Sequence, residues 1–307
     1  MNRNRGNGTY MESKSIVQPV SIRDYIILIK PGILRSNLIA AFAGFWVASQ
    51  GNVNWMLLLY TLIGTTLVMA SSCVFNNFFD REYDGLMERT SHRPLPSGRM
   101  TATNVFVYGC ILGVLGLLVL FLLTDTLAAW LGIVGMIVYV LIYTAWLKRT
   151  STLSTVIGSF SGAMPPVIGY TAVTGTMDVG AWILFGFLFL WQCPHFWALG
   201  IRRIEEYRAA GFQILPVVKG IKRTKIQMIP YIVLLIPVSL LLYYAGYAGI
   251  YYFVTALVMG IVWLLLCVAG FVTKDDNRWA KRTFMFSIYY LLIILIVMIL
   301  DTTKLIV

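Results

Sequence analysis

Long apolar stretches alternate with short polar ones from about residue 30 to the end of the chain. About 20 helical residues cross a hydrocarbon layer about 30 Å thick. Nine stretches meet that length. They run from about Ile33 to Ser49, Trp55 to Phe79, Ala102 to Leu123, Leu127 to Leu147 and Leu153 to Val173, then Gly180 to Ile201, Ile226 to Tyr244, Ile250 to Val272 and Thr283 to Leu300. The pattern predicts an all-α polytopic membrane protein with nine transmembrane helices. Pro31 suits a first helical turn, where its missing N–H has no partner in any case. The fifth span holds Gly158, Gly162 and Pro165-Pro166, which favours close helix contact and a kink.

Composition supports this pattern. The chain is 59% hydrophobic and 12% charged, against about 25% charged in a soluble domain. The net charge of +11 would suit a nucleic-acid partner, but the positions of the basic residues argue otherwise. With the N-terminus inside, every Lys and Arg except Lys304 falls in an inside segment or its flanks. That is the positive-inside pattern, and it puts the C-terminus outside. Cys73, Cys110, Cys193 and Cys267 all lie in apolar spans with no CxxC pair, so they read as small buried hydrophobes rather than a disulfide or zinc set. Residues 1–29 read as a polar, disordered cytoplasmic tail without the apolar core of a signal peptide, and residues 30–307 as the nine-helix domain. The longest charged loops follow spans two and six, four spans apart. This spacing suggests two pseudo-equivalent four-helix halves plus a ninth helix.

The chemistry concentrates in Asn76-Asn-Phe-Phe-Asp80-Arg-Glu-Tyr-Asp84. On a helix, Asn76, Asp80 and Asp84 stand at i, i+4 and i+8, along one face. An amide and two carboxylates make an oxygen cluster suited to a hard divalent cation. An ordinary solvated helix end is the simpler reading, yet Asn76 lies a turn deeper than such an end requires. Arg89, Arg93 and Arg99 follow, in a loop stiffened by Pro94, Pro96 and Gly98. Metal-binding carboxylates facing guanidinium groups are what a diphosphate requires.

These residues resemble the first aspartate-rich motif of the UbiA-type intramembrane prenyltransferases. The continuation Asp80-Arg-Glu-Tyr-Asp84 with Met87, Arg89, Thr90, Arg93, Pro94 and Leu95 is similar to the branch of that family that farnesylates protohaem IX. Tyr143 with Lys148-Arg149, Gly162-Ala-x-Pro-Pro with Gly169, Pro194-His195-Phe196 and Glu205-Glu206-Tyr207 with Gly211 resemble further motifs of that branch. The resemblance implies a Mg²⁺-dependent farnesyl transfer from farnesyl diphosphate to a vinyl group of haem B, in a bacterial plasma membrane. It also implies a downstream haem-modifying membrane enzyme as partner. Carried over by motif, Asn76, Asp80 and Asp84 hold metal and diphosphate, and Lys148 and Arg149 neutralise the leaving group. Arg89, Arg93, Arg99, Tyr143, His195, Arg202, Glu205, Glu206 and Tyr207 are the substrate-binding candidates.

The second motif departs from the wider family, whose acidic positions are taken here by Arg203 and Tyr207, with Glu205 and Glu206 between them. Glu206 could bind metal through water or only orient Arg202 or Lys219. His195, Arg202 and Glu206 share one face if the sixth helix continues. An intramembrane histidine is a functional candidate; the alternative is a core histidine bonded to a carbonyl freed by Pro194. Three other functions would account for part of the pattern. A related prenyltransferase acting on an aromatic quinone precursor would share the first motif. An inverted-repeat transporter is disfavoured because Asp and Glu are absent from the span midplanes. A scaffold binding anionic lipid explains the charge but not the Asn76/Asp80/Asp84 spacing.

Overall fold

The computed structural model describes residues 20–303. Over that range the chain is helical, with one isolated backbone bridge, Ala248–Thr302. The helices are α1 (Ile22–Leu28), α2 (Pro31–Ser49), α3 (Trp55–Asp84), α4 (Glu88–Ser91), α5 (Ala102–Leu123), α6 (Thr126–Thr150) and α7 (Ser154–Gly162). They continue with α8 (Met164–Thr174), α9 (Val179–Arg202), α10 (Ile204–Ala209), α11 (Leu215–Tyr244), α12 (Ile250–Ala269) and α13 (Asp276–Leu300). Taking α7 and α8 as one broken span, the described residues provide nine helices long and apolar enough to cross a membrane.

Capping side chains set many of the starts. Asn54, Thr101, Asp125, Asp178 and Asp275 each accept a backbone N–H from the first turn of the helix that follows. These caps satisfy donors that no helical carbonyl can reach. The chain then closes on itself. Helices α2, α3, α5 and α6 pack in sequence, α9 packs on α8, α11 and α13, and α13 returns to α2. The tightest approach joins α2 to α8. A Cβ on Gly44 would lie 2.0 Å from the Pro166 carbonyl oxygen, and one on Gly169 would lie 2.0 Å from that of Ala41. Only glycine permits these backbones to touch.

Several boundaries differ from the hydropathy pattern. Helix α3 runs on to Asp84, so the polar stretch continues the membrane helix. Helix α11 begins at Leu215 rather than Ile226 and bends at Gly220, whose φ is +78°. Helix α13 begins at Asp276 rather than Thr283, where Asp275 caps it. In each case polar residues extend a helix past its apolar run. Helix α6 also changes character, turning from α to π between Val138 and Leu147.

Residues 1–19 of the expected tail, and Lys304, lie outside the described residues. The end of the tail is not disordered as expected, because Ile22–Leu28 forms α1. The Asp24 carboxylate accepts from the Ser21 N–H and hydroxyl and from Arg99 Nε at 2.9 Å. At the other end, the Asn77 side-chain amide donates to the Leu28 carbonyl at 3.0 Å. Burial alone would raise the Asp24 pKa, but the Ser21 N–H and the Arg99 guanidinium hold it below the usual value.

Candidate active site

Helix α3 delivers Asn76, Asp80 and Asp84 to one face, and all three are buried. Asp80 is the centre of the cluster. Its Oδ2 accepts from Lys148 Nζ at 2.6 Å and from the Asn76 amide at 3.1 Å. Its Oδ1 is buried without a hydrogen-bond partner, 3.6 Å from the Arg149 guanidinium. One turn on, Asp84 Oδ2 accepts from Arg93 Nη1 at 2.6 Å. Below Asp80, the Asn76 amide donates to Thr144 Oγ1 at 3.0 Å. Thr144 lies in the π segment of α6, as do Tyr139 and Tyr143. Such segments recur at functional sites because they turn side chains away from the α register.

Lys30, which the sequence reading passed over, joins this group. Its ammonium donates to Asn76 Oδ1. The residue sits in the left-handed region at φ +53°, a conformation that costs a side-chain-bearing residue about 1–2 kcal/mol. Pro31 follows it and opens α2. Burial pushes the Lys30 pKa down to about 8, and the nearby Arg93 charge adds to the effect. The signal for Lys30 was a cation directly before a helix-opening proline at the membrane edge.

Lys30, Arg93, Lys148 and Arg149 thus surround Asp80 and Asp84, an excess of positive charge in a buried setting. Buried charge demands a partner, and this nest has room for an anion. Its oxygen groups also fit a hard cation. Among the described residues no three His, Cys, Asp or Glu side chains converge as a ready metal site. The hard-ion fit rests instead on the orphaned Asp80 Oδ1 and the neighbouring Asp84. Mg²⁺ commonly takes one or two carboxylates and fills its shell with water and substrate phosphate.

The nest opens into a cavity of about 770 Å³. Lys30, Asp80, Asp84, Arg89, Arg93, Tyr143, Lys148 and Tyr207 line its polar end. Met69, Met136, Met164 and Ile168 line one apolar wall, and Trp191, His195, Phe284, Ile288 and Leu295 another. The cavity therefore joins an ionic pole to a long apolar interior.

The other predicted residues separate. Arg99 pairs with Asp24 and with the His92 carbonyl, so it anchors α1 rather than the site. Arg149 lies behind Asp80, donating to the Phe79 carbonyl at 2.7 Å and stacking on Tyr83. The sixth helix does not continue to Glu206; α9 ends at Arg202 and Arg203 breaks it. Arg202 therefore lies over the Phe284 ring, with its guanidinium carbon 5.4 Å from the ring centroid. Glu205 pairs with Arg208 on an exposed turn. Glu206 holds Arg203 at 2.8 Å and Arg89 at 3.4 Å, not Arg202 or Lys219. His195 bonds Ser287 on α13, not a carbonyl freed by Pro194.

A membrane-spanning helical bundle whose buried, positively charged pole opens into an apolar cavity fits the class of intramembrane prenyl transferases. The model of the UbiA prenyltransferase family matches residues 37–288, and the chain belongs to that family. It is 48% identical over 288 residues to the protoheme IX farnesyltransferase of Alkalihalophilus pseudofirmus, covering 92% of this chain and 91% of that protein. It is 45% identical to protoheme IX farnesyltransferase 1 of Bacillus subtilis, covering 98% of each. Among solved structures, a digeranylgeranylglyceryl phosphate synthase superposes with a TM-score of 0.76 at 20% identity, over 91% of this chain and 97% of the other. A UbiA homolog from Archaeoglobus fulgidus bound to GPP and Mg²⁺ gives a TM-score of 0.69 at 14% identity, over 90% and 99%. These two likenesses concern the fold.

Proposed function

We propose that this protein transfers the farnesyl group of farnesyl diphosphate to a vinyl group of haem B, giving haem O and diphosphate. The observation that carries the donor half is the Asp80-centred nest, which opens directly into an apolar cavity. The acceptor half follows the names of the close relatives, which match almost the full chain.

The residues divide the work along the cavity. Lys30, Arg93 and Lys148 take the charge of the diphosphate, which grows as the allylic C1–O bond breaks. A divalent ion such as Mg²⁺, when bound, supplies Lewis-acid stabilisation of the same oxygens. Asp80 and Asp84 are the residues that would hold it, with Asn76 orienting Asp80 and Lys30. The wall of Met69, Met136, Met164 and Ile168 takes the farnesyl chain, and the apolar lining keeps bulk water from the allylic cation. The terminal carbon of the haem vinyl group then forms a bond to farnesyl C1. The remaining porphyrin-side cation takes up water and loses a proton, which completes the hydroxyethylfarnesyl side chain. The ionic pole lies at the end rich in Lys and Arg, which we assign to the cytoplasmic face of a bacterial plasma membrane.

The test is direct. The full chain in lipid nanodiscs, given haem B, farnesyl diphosphate and Mg²⁺, is expected to form a product with the mass of haem O. Prenylation of an aromatic acid with none on haem would overturn the acceptor, and wild-type turnover in EDTA would overturn the metal.

A further inference from the structure

His195 and Ser287 stand on the apolar wall, away from the ionic pole. His195 follows Pro194 on α9 and is 9% exposed. Its Nδ1 lies 2.6 Å from Ser287 Oγ on α13. The same Oγ lies 2.6 Å from the Phe284 carbonyl oxygen, one turn back on α13. A carbonyl can only accept, so the single hydroxyl proton of Ser287 points to Phe284. Ser287 is then left with lone pairs for His195, and Nδ1 must carry the proton. In a neutral imidazole this leaves Nε2 as a bare lone pair. No described residue makes a hydrogen bond to Nε2, and His195 lines the cavity.

The ring is also held in orientation. It lies between Trp191, with centroids 4.5 Å apart and planes at 22°, and Phe284, at 4.7 Å and 28°. Trp191 Nε1 donates to the Ser287 carbonyl at 2.9 Å, which ties α9 to α13 at this level. Nothing around the ring prepares it to accept a proton. No carboxylate touches it; its polar partner is a neutral hydroxyl, and Arg202 lies across Phe284. A base must become an imidazolium, whereas a metal ligand stays neutral. A fixed, neutral nitrogen donor in an apolar wall suits an iron porphyrin. Donation of the second ring N–H to a fixed acceptor is the usual way such a ligand is oriented.

We propose that Ser287 is a positioning residue that holds His195 in its Nδ1–H tautomer, and that His195 Nε2 ligates the iron of the porphyrin acceptor. This rests on haem being the acceptor. Ligation would hold the porphyrin against the α9–α13 wall of the cavity.

The test uses the full chain in nanodiscs with haem B alone, read by ultraviolet–visible and resonance Raman spectroscopy of the ferrous state. Wild type is expected to show an iron–imidazole stretching band. His195→Ala should lose that band, recover an imidazole-ligated spectrum on addition of free imidazole, and still bind a farnesyl diphosphate analogue. Ser287→Ala should keep ligation but weaken haem binding about 10-fold and lower the stretching frequency, because the tautomer is no longer held. Ser287→Thr should restore both. An unchanged band in His195→Ala overturns ligation. Unchanged affinity and frequency in Ser287→Ala overturn the positioning role. Product analysis with farnesyl diphosphate separates the two levels. Haem O formation with an unchanged His195→Ala spectrum removes the ligation alone. A wild type that neither retains haem nor forms haem O removes the haem acceptor and the ligation together.

Discussion

The chain carries two acidic stretches at helix ends on the same face of the bundle, and they have opposite fates. Asp80 and Asp84 continue a membrane helix inward, with side chains 1% and 3% exposed. Glu205 and Glu206 lie beyond a helix break, 77% and 34% exposed. The buried pair meets cations from three other segments: Lys148 and Arg149 on α6, Arg93 in the following loop, and Lys30 through Asn76. The outer pair meets mainly arginines within its own turn. What the second stretch gives the cavity lining is Arg203 and Tyr207 rather than a carboxylate. Phe212 packs with Tyr83 and Tyr207, and Lys148 Nζ lies 4.1 Å from the Phe212 ring centroid. Net charge in a motif is thus a poor guide to its role; burial and the origin of the counter-charges decide it. In a low-dielectric setting each of these charges acts strongly, whereas an exposed pair is screened.

That contrast can be broken by substitution. Asp80→Ala removes the hub of the buried nest and is expected to lower kcat/KM by at least about 10²–10³-fold, in line with the loss of a main electrostatic group. Haem O formation measured by mass checks it, with circular dichroism confirming the fold. Lys30→Met keeps the stem but deletes a cation, and should cost about 10–10²-fold in kcat/KM for farnesyl diphosphate. Glu206→Gln frees Arg203 and Arg89 from a half-buried partner and should change turnover by no more than about 3-fold. Glu205→Gln should leave it within experimental error. A loss from Glu206→Gln comparable to that from Asp80→Ala would erase the distinction between the two stretches.

The smallest effect lies outside the site. Asp24→Asn should destabilise the docked α1 by up to about 1 kcal/mol, given the partial exposure of Arg99. Its readout is faster hydrogen exchange at the α1 amides. The Asp24 pKa is depressed in the fold. Its contribution is therefore present above the unfolded carboxylate value of about 3.9 and lost as the pH falls through the lower folded value. Wild type and Asp24→Asn should converge in the acid range.

Much of the fold was legible because lipid imposes a simple code. Nine apolar runs of bilayer length correspond to nine spans among the described residues, and the polar face of Asn76, Asp80 and Asp84 follows from helical periodicity. What stayed hidden depends on contacts between distant segments. Lys30 looked like one more flanking cation until its left-handed backbone turned it toward Asn76. Arg99 looked equivalent to Arg93, but α1 supplies a carboxylate that captures it. The π turn in α6 has no hydropathy signature, and it sets which face Tyr143 and Thr144 present. Ser287 is a single hydroxyl in an apolar span, and its partner His195 lies 92 residues away. The shared face of His195, Arg202 and Glu206 depended on an unbroken sixth helix, and nothing in the local pattern announces the break at Arg203.

The sharpest discrimination comes from Mg²⁺-dependent binding of a non-hydrolysable farnesyl diphosphate analogue to Asp80→Asn and Glu206→Gln, both shape-conserving exchanges. If Asp80 is the ionic centre, Asp80→Asn weakens the Mg²⁺-dependent component by at least about 10-fold, the scale of one strong charge-assisted contact, and Glu206→Gln leaves it unchanged. Equal weakening by both, or loss confined to Glu206→Gln, would contradict the assignment of the diphosphate site to the buried stretch of α3.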